Sequence, residues 1–347
     1  MNPGEPPADN PGHGKPLYSD FFKFDFVDAK PSASRRNSDV QDASGFAVRN
    51  NSTIAAAASS RSLPVEPVPL PVPTRKGSTY LDTPTSPMSR VYAMNGAKRG
   101  KVLIFNQVEF DVVDYPERFG THSDVERLYM TLPRLGFQRE DISVFQDFSV
   151  GEIRREAMRL QVDKDLEEAD CLVVILLTHG EEGDYLMAQD DRYHLYEFIE
   201  NFTPTALNSM AGKPKLFIVQ ACRGKKLDRG VNLRAKLIQA DSVPKDVVDS
   251  QSGVFSYPEF ADLMIVMSSH HGHYSFRNET GSWLIQELCN VIDSCDLEQD
   301  SIYDILTETN KRVAGRSSNA DGEFHNKKQI PSFYSTLTRQ LYFRPAQ

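Results

Sequence analysis

Two side chains able to exchange a proton, His179 and Cys222, stand where two apolar runs of the sequence end. LLTHG closes the first run and VQACRG the second, so both reactive groups lie beside a glycine. In open α/β sheets the carboxyl ends of the strands face a crevice where loops converge, and a thiol and an imidazole placed there would meet. An imidazole can lower a thiol pKa from about 8.5, orient the sulfur and later protonate a leaving amine, which suffices for acyl transfer. A glycine at such a position lets a scissile carbonyl approach, and the N–H groups of Gly180 and Cys222 would form an oxyanion hole. Taken alone, a cysteine at a strand end reads as a small buried hydrophobe and a histidine as a core or loop residue. The pair therefore needs the surrounding pattern to support it.

That pattern is alternation. KVLIFNQ (101–107), DCLVVILLTHG (170–180), KLFIVQACRG (215–224) and ADLMIVMSS (261–269) are too continuously apolar for strands facing water and read as buried strands. SDVERLYMTL, VGEIRREAMRL, LYEFIENF, SWLIQELCNVI and SIYDILTETNKRVA space their apolar residues at three and four, so they read as helices covering the sheet. The fold class is α/β with a largely parallel sheet. The stretch between Arg223 and Phe255 is polar and mixed in signal. It reads as a long exposed linker, which in a compact domain tends to serve a function. Residues 1–97 are rich in Pro, Ser, Ala and Asn, and SLPVEPVPLPVPTRKGS (62–78) favours polyproline II, so this region reads as mostly disordered. One island within it, DFFKFDFVD (20–28), alternates aromatic with charged residues, as a short strand, a docking motif or a sticky patch in a tail would.

Composition removes other classes. A formal charge of -9 and a pI near 5.5 argue against nucleic acid or an anionic membrane as partner, because either needs a concentrated basic face. No apolar run reaches the roughly 18 residues of a membrane span, and the N-terminus has no secretory pattern. Cys171, Cys222, Cys289 and Cys295 show neither metal-type pairing nor disulfide-scaffold spacing, which fits reduced thiols in the cytoplasm. No metal or organic cofactor is implied.

Gln220-Ala221-Cys222-Arg223-Gly224, with a histidine some tens of residues upstream, matches the caspase signature, a highly specific five-residue pattern. THGEEG (178–183), GKPKLFIVQACRG (212–224), YSFRN (274–278), GSW (281–283) and KKQIPS (327–332) also resemble that family, particularly its effector branch. The resemblance runs from about Gly100 to Phe343. It implies a three-layer caspase-like sandwich, with a central, mostly parallel six-stranded sheet flanked by helices and a disordered prodomain over 1–97. It further implies a large subunit over 98–249 that includes a processing linker at 225–249, and a small subunit over 250–347. Two such units would form a homodimer through the last strand, which FYSTLTRQLYF (333–343) matches. The activity implied is an aspartate-specific cysteine endopeptidase acting in apoptosis, with Cys222 as nucleophile, His179 as acid–base partner and Gly180 in the oxyanion hole.

The resemblance also places Arg118, Gln220 and Arg277 around the substrate's P1 carboxylate, where two planar guanidiniums can do what lysine cannot. Tyr274, Phe276 and Phe324 match the residues shaping S2, Ser275 lies in the substrate-binding run, Asn278 matches a residue that selects aspartate at P4, and Trp283 walls the outer pocket. Without the family, the two arginines read as surface residues and the aromatics as core. Phe276 stands where tryptophan is commonest, which leaves P2 and P4 preference less defined than P1. Proteases that cut after aspartate mature at their own aspartates. Asp241 (IQAD before Ser242) suits an upstream initiator caspase, and Asp249 (DVVD before Ser250) suits an effector. Asp28 (DFVD before Ala29) and Asp42 (DVQD before Ala43) offer the same form in the tail. Scission at Asp28 would expose Ala29-Lys30-Pro31-Ser32, which resembles the N-terminal motif captured by inhibitor-of-apoptosis proteins. The competing reading is a catalytically weak caspase-like regulator that binds partner caspases or inhibitors. Its cost is that His179, Cys222, Arg118, Gln220 and Arg277 are all intact.

Overall fold

The computed structural model describes residues 26–27, 83–86, 88–231 and 258–345. All of them belong to one unit, Met1–Pro31 with Leu81–Gln347; the other unit, Ser32–Tyr80, lies outside the described residues. In chain order the elements are β1 (Phe26–Val27), β2 (Lys98–Asn106), α1 (Thr121–Thr131), β3 (Ile142–Gln146), α2 (Val150–Leu160), β4 (Ala169–Leu177), β5 (Tyr185–Met187), β6 (Arg192–His194) and α3 (Leu195–Ile199). They continue with β7 (Lys215–Gln220), β8 (Leu263–Met267), β9 (Phe276–Asn278), β10 (Gly281–Ser282), α4 (Trp283–Ser294), α5 (Ile302–Gly315) and β11 (Ser332–Ser335).

The central sheet has six strands in the order β11-β8-β7-β4-β2-β3. Every pairing is parallel except that of β11 with β8. β4, β7 and β8 are buried along their whole length, as their unbroken apolar sequence requires. One face of the sheet packs on α1, α4 and α5 through residues such as Val102, Ile104, Val173, Leu284, Leu288 and Ile305. The other packs on α2, α3 and the turns after α3 through Leu103, Phe105, Ile153, Phe198, Phe202 and Phe217. Each such buried side chain contributes on the order of 1.5–3 kcal/mol. The result is the three-layer sandwich.

The helices start where local chemistry lets them. Ser149 with Glu152 opens α2 and Ser301 with Asp304 opens α5 as reciprocal capping boxes, each satisfying two of the orphan N–H groups of a first turn. α2 covers the predicted run VGEIRREAMRL residue for residue, and α1, α4 and α5 fall within two residues of theirs. LYEFIENF divides, with five α-helical residues followed by a 3-10 turn at Glu200–Phe202.

Three expectations need correcting. The sixth strand, β3, has no counterpart among the predicted runs, because it is an edge strand whose Ser143, Val144 and Gln146 face solvent and interrupt any apolar run. The last strand, Ser332–Ser335, reaches only to residue 335 of the run 333–343. Beyond it Thr336 still exchanges bonds with Asp262 and Leu263, after which the chain leaves β8 and Gln340 bridges to Val91. Finally, packing begins before residue 98. Tyr92 is buried in the core, and its hydroxyl donates to Asp262 Oδ1 at 2.6 Å. A single aromatic anchor in a proline- and serine-rich context leaves no periodic signal.

One buried carboxylate ties the layers together. Asp124 of α1 is fully buried and its Oδ1 accepts from Ser282 N–H at 2.8 Å and from Gln286 Nε2 at 3.0 Å, fastening α1 to β10 and α4. Burial pushes its pKa up to about 6, against those hydrogen bonds and the nearby Arg118 guanidinium, which pull it down. A carboxyl whose folded pKa lies above its unfolded value of about 3.9 favours the folded state below about pH 4, and that advantage is lost as pH rises through about 6. Asp124→Asn keeps an acceptor and never ionises. Urea unfolding at pH 4 and pH 7 should show the Asn protein gaining about 2 kcal/mol on the parent between the two pH values. A constant difference would contradict this account.

Candidate active site

Register brings the reactive pair together. β4 and β7 are adjacent and parallel, with Leu177 opposite Gln220, so His179 and Cys222 each sit two residues past the same rung. Thr178 N–H continues the ladder to Gln220 O at 3.1 Å. The two strand ends then approach so closely that a Cβ on Gly180 would lie 2.2 Å from the Cys222 carbonyl oxygen and 3.0 Å from Ala221 Cβ. Glycine at 180 is therefore required by the neighbouring backbone itself, before any substrate arrives. Gly180 occupies the non-hydrogen-bonded position of its bridge with Leu186, because the flanking bonds are Met187 N–H to His179 O and Glu181 N–H to Tyr185 O. Its own N–H points away from that hairpin.

His179 is buried and ringed by Phe110 and Tyr115, at centroid distances of 4.9 and 5.6 Å. Its Nε2 lies 2.8 Å from Pro116 O. A carbonyl oxygen can only accept, so Nε2 carries the proton and Nδ1 is the basic atom of the neutral ring. This orienting group is a backbone atom, and no residue type announces it in sequence. Tyr115 in turn donates to Glu181 Oε1 at 2.5 Å, and Arg192 Nη1 lies 3.1 Å from Glu181 Oε2. Arg223, the residue after the cysteine, donates from Nε to Asp184 Oδ1 at 2.8 Å, which pins the cysteine loop to the histidine loop.

Cys222 Sγ receives the N–H of Ser275 at 3.1 Å. Burial pushes the Cys289 thiol up to about 12 and raises those of Cys171 and Cys295 as well. None of these three is suited to form a thiolate near neutrality. None of the four cysteines is in a disulfide.

Two buried arginines follow the segments that touch this pair, Arg118 two residues after Pro116 and Arg277 two residues after Ser275. Arg118 is 0% and Arg277 1% exposed, so neither is the surface arginine that composition alone would suggest. Arg118 Nη1 donates to Gln107 O and Thr121 Oγ1, both at 3.0 Å, and Thr121 donates to Asn106 Oδ1 at 2.6 Å. The end of β2 and the start of α1 thus hold the guanidinium plane. Gly120, with φ 81°, lets the Arg118 loop abut β9, since a Cβ there would meet Asn278 O at 2.1 Å. Gln220 Nε2 donates to Ser275 Oγ at 2.7 Å, linking β7 to the segment that carries Arg277.

The predicted aromatic residues separate into two pairs. Tyr274 meets Phe324 edge-on at 5.3 Å beside Cys222, and Phe276 stacks on Trp283 at 5.1 Å and 30°, with Arg316 lying over the indole at 5.6 Å. Gln329, which sequence reasoning missed, accepts the Phe276 N–H at 2.7 Å and donates to Ser268 O at 2.7 Å, fixing β9 to the end of β8. It lies in KKQIPS, so that motif was the available signal. Asn278 closes the β9–β10 turn by accepting from Thr280 N–H at 3.0 Å. Asp28, Asp42, Asp241 and Asp249 lie outside the described residues. Of the predicted linker, residues 225–231 are described: Lys226 bridges to His273 and Asp228 to Lys328.

Comparison with known proteins places this arrangement. Residues 99–342 match the family model of the caspase domain. Caspase-1 of Spodoptera frugiperda is 37% identical over 260 residues, 74% of this chain and 82% of its own. Caspase drICE of Drosophila melanogaster is 36% identical over 260 residues, 74% of this chain and 73% of its own. The corresponding values for caspase-6 of Gallus gallus are 34%, 260 residues, 73% and 83%. The crystal structure of caspase-1 from Spodoptera frugiperda matches with a TM-score of 0.67 at 34% identity, covering 76% of this chain and 99% of that one. With its mostly parallel six-stranded sheet, its paired histidine and cysteine at adjacent strand ends and this run of relatives, the chain belongs to the caspase family of cysteine-type endopeptidases.

Proposed function

We propose that this protease cuts proteins after aspartate in apoptosis, with a DxxD-like preference, using Cys222 as nucleophile. The observation that carries the reading is the pair of buried guanidiniums, Arg118 and Arg277, on the segments that touch His179 and Cys222. Guanidiniums offer a carboxylate charge-assisted, forked hydrogen bonds, so a pocket lined by two of them favours a substrate carboxylate over neutral or basic side chains. In the proposed cycle Sγ attacks the carbonyl carbon after the aspartate while the N–H groups of Gly180 and Cys222 receive the oxyanion. The C–N bond breaks as the imidazolium, through Nδ1–H, protonates the leaving amine. Water, deprotonated by Nδ1, then hydrolyses the thioester and restores the thiol. Pro116 O holds the ring throughout. Tyr274 and Phe324 flank S2, Phe276 and Trp283 form the outer wall, and Asn278 faces the P4 side.

The chain is proposed to be made as a zymogen that an upstream initiator caspase opens at Asp241, with Asp249 the effector-type alternative. Both lie in the stretch that joins Val231 to Pro258. A homodimer is supported by β11, which is the outermost strand on its side of the sheet among the described residues and could continue the ladder with a second copy. Cysteines outside any disulfide fit a cytoplasmic setting. Among the described residues, no helix is long and apolar enough to cross a membrane. The Ala29-Lys30-Pro31 sequence supports capture by inhibitor-of-apoptosis proteins once Asp28 is cut. Asp28→Ala should then lose that binding, and retained affinity in a pull-down would remove the tail from it.

Purified full-length protein should cleave an Asp-Glu-Val-Asp peptide with a kcat/KM on the order of 10³ or more above the same peptide ending in Asn, because a neutral amide cannot take the charge-assisted, forked bonds that guanidiniums offer a carboxylate. Cys222→Ala should abolish turnover. If linker-cut protein turned over neither peptide, the caspase-like regulator would become the better description. Arg118→Lys retains a charge but loses the fork that Gln107 and Thr121 orient. Its kcat/KM for the Asp peptide should fall roughly 100-fold, equivalent to ~3 kcal/mol, and an unchanged value would place P1 recognition elsewhere.

A further inference from the structure

A strand already lies along the edge of β9, and it comes from this chain's own N-terminal region. β1 pairs antiparallel with β9, Phe26 opposite Arg277 and Val27 opposite Phe276, while β10 takes the other edge. Successive residues of a central strand direct N–H and C=O alternately to its two sides. The Phe276 N–H is committed to Gln329, so Arg277 presents its N–H and C=O to the opposite side, where Phe26 lies. Phe26 is therefore the pairing residue that exchanges backbone bonds with Arg277.

We propose that Asp25-Phe26-Val27-Asp28 is a tethered occupant of this chain's own substrate cleft, seated in the register for scission after Asp28. This rests on the function proposed above for Cys222, His179, Arg118 and Arg277. The register runs 26 to 277 and 27 to 276; Asp28 lies outside the described residues, and the same register continued by one residue would set it against Ser275. Ser275 is the residue whose N–H reaches Cys222 Sγ and whose Oγ reaches Gln220, which makes that rung the one at the nucleophile and the cationic pocket. Slipping by one residue in either direction would put Val27 or Ala29 there, neither of them charged. The backbone pairing and the position of the aspartates thus select the same register, and a carboxylate at that rung could take charge-assisted, forked bonds from guanidiniums in the proposed pocket.

Occupation makes the segment both a competitor and a first substrate. About 55 residues separate Asp28 from Thr83, a length that at full extension reaches roughly 190 Å, so pairing within one chain is sterically allowed. Tethering at an effective concentration approaching millimolar would require a peptide to compete for the cleft. Scission ends the competition: Sγ bonds to the Asp28 carbonyl carbon, the bond to Ala29 nitrogen breaks with a proton from His179, and water releases the Asp28 carboxylate and the thiol.

The test uses full-length protein matured at its linker. Ala29→Pro replaces the leaving nitrogen by a crowded proline ring and keeps the segment attached with Asp28 in place. Adding Phe26→Pro removes the N–H that pairs with Arg277. For an Asp-Glu-Val-Asp peptide, Ala29→Pro should show an apparent KM roughly 10-fold above that of the double variant with kcat equal, at a ratio independent of enzyme concentration. In the otherwise wild-type chain, Phe26→Pro should slow loss of residues 1–28, followed by mass spectrometry, while peptide turnover does not fall. Equal KM values would overturn the inference, as would a ratio that grows with enzyme concentration, which signals exchange between chains. Absence of peptide turnover in every protein, wild type included, would instead refute the proposed function.

Discussion

The parallel ladder between β4 and β7 is the constraint from which the site follows. Leu177 opposite Gln220 leaves His179 and Cys222 level with each other, and the Gly180 backbone pressed against the Cys222 carbonyl fixes their separation. Because both strands are buried on both faces, a register shift would displace two packed surfaces at once. The reactive groups are therefore held by the most stable part of the sheet, and loops need only supply the secondary groups: Pro116 O for the imidazole, and Ser275 N–H for the sulfur.

The cationic pocket is assembled differently, from residues far apart in sequence and held by polar contacts. Arg118 leans on the end of β2 and the start of α1, Gln220 ends β7, and Arg277 sits in β9. Under the proposed function these buried charges serve recognition of a substrate carboxylate, which would account for arginines where apolar side chains could also pack. Asp124, beside Arg118 and fastening α1 to β10 and α4, shows the cost of holding that pocket in place, with a carboxyl moved by burial to about 6. Its role had no sequence signal, because an aspartate in the first turn of a helix ordinarily reads as a solvated dipole partner.

β9 links recognition to self-regulation. Gln329 and β10 anchor one side of it, and β1 takes the other. If β9 accepts an extended peptide during turnover, as proposed, its edge is unsatisfied beforehand, and a sheet edge is most simply satisfied by another strand. The DFFKFDFVD island could by sequence equally be a strand, a docking motif or a sticky patch, and only the folded molecule gives its Phe26 and Val27 a definite backbone partner.

Much of the molecule was legible in one dimension for simple reasons. Strands buried on both faces must be apolar without interruption, amphipathic helices must repeat at three and four, and both patterns survive in β4, β7, β8, α2, α4 and α5. The Gln-Ala-Cys-Arg-Gly motif and its upstream histidine likewise pointed to a nucleophile and a base. What remained hidden depends on contacts between distant residues or on backbone atoms that carry no identity. The solvent-washed edge strand β3, the Tyr92 anchor, the early end of β11, the carbonyl behind His179 and the burial of Arg118 and Arg277 are of this kind. The sequence by itself determined which residues could perform the chemistry and which segments must be buried, because periodicity and residue type are local. Only the tertiary structure decided which strand ends face each other, which arginines lie inside and which segment lies along β9, because register and burial are properties of pairs.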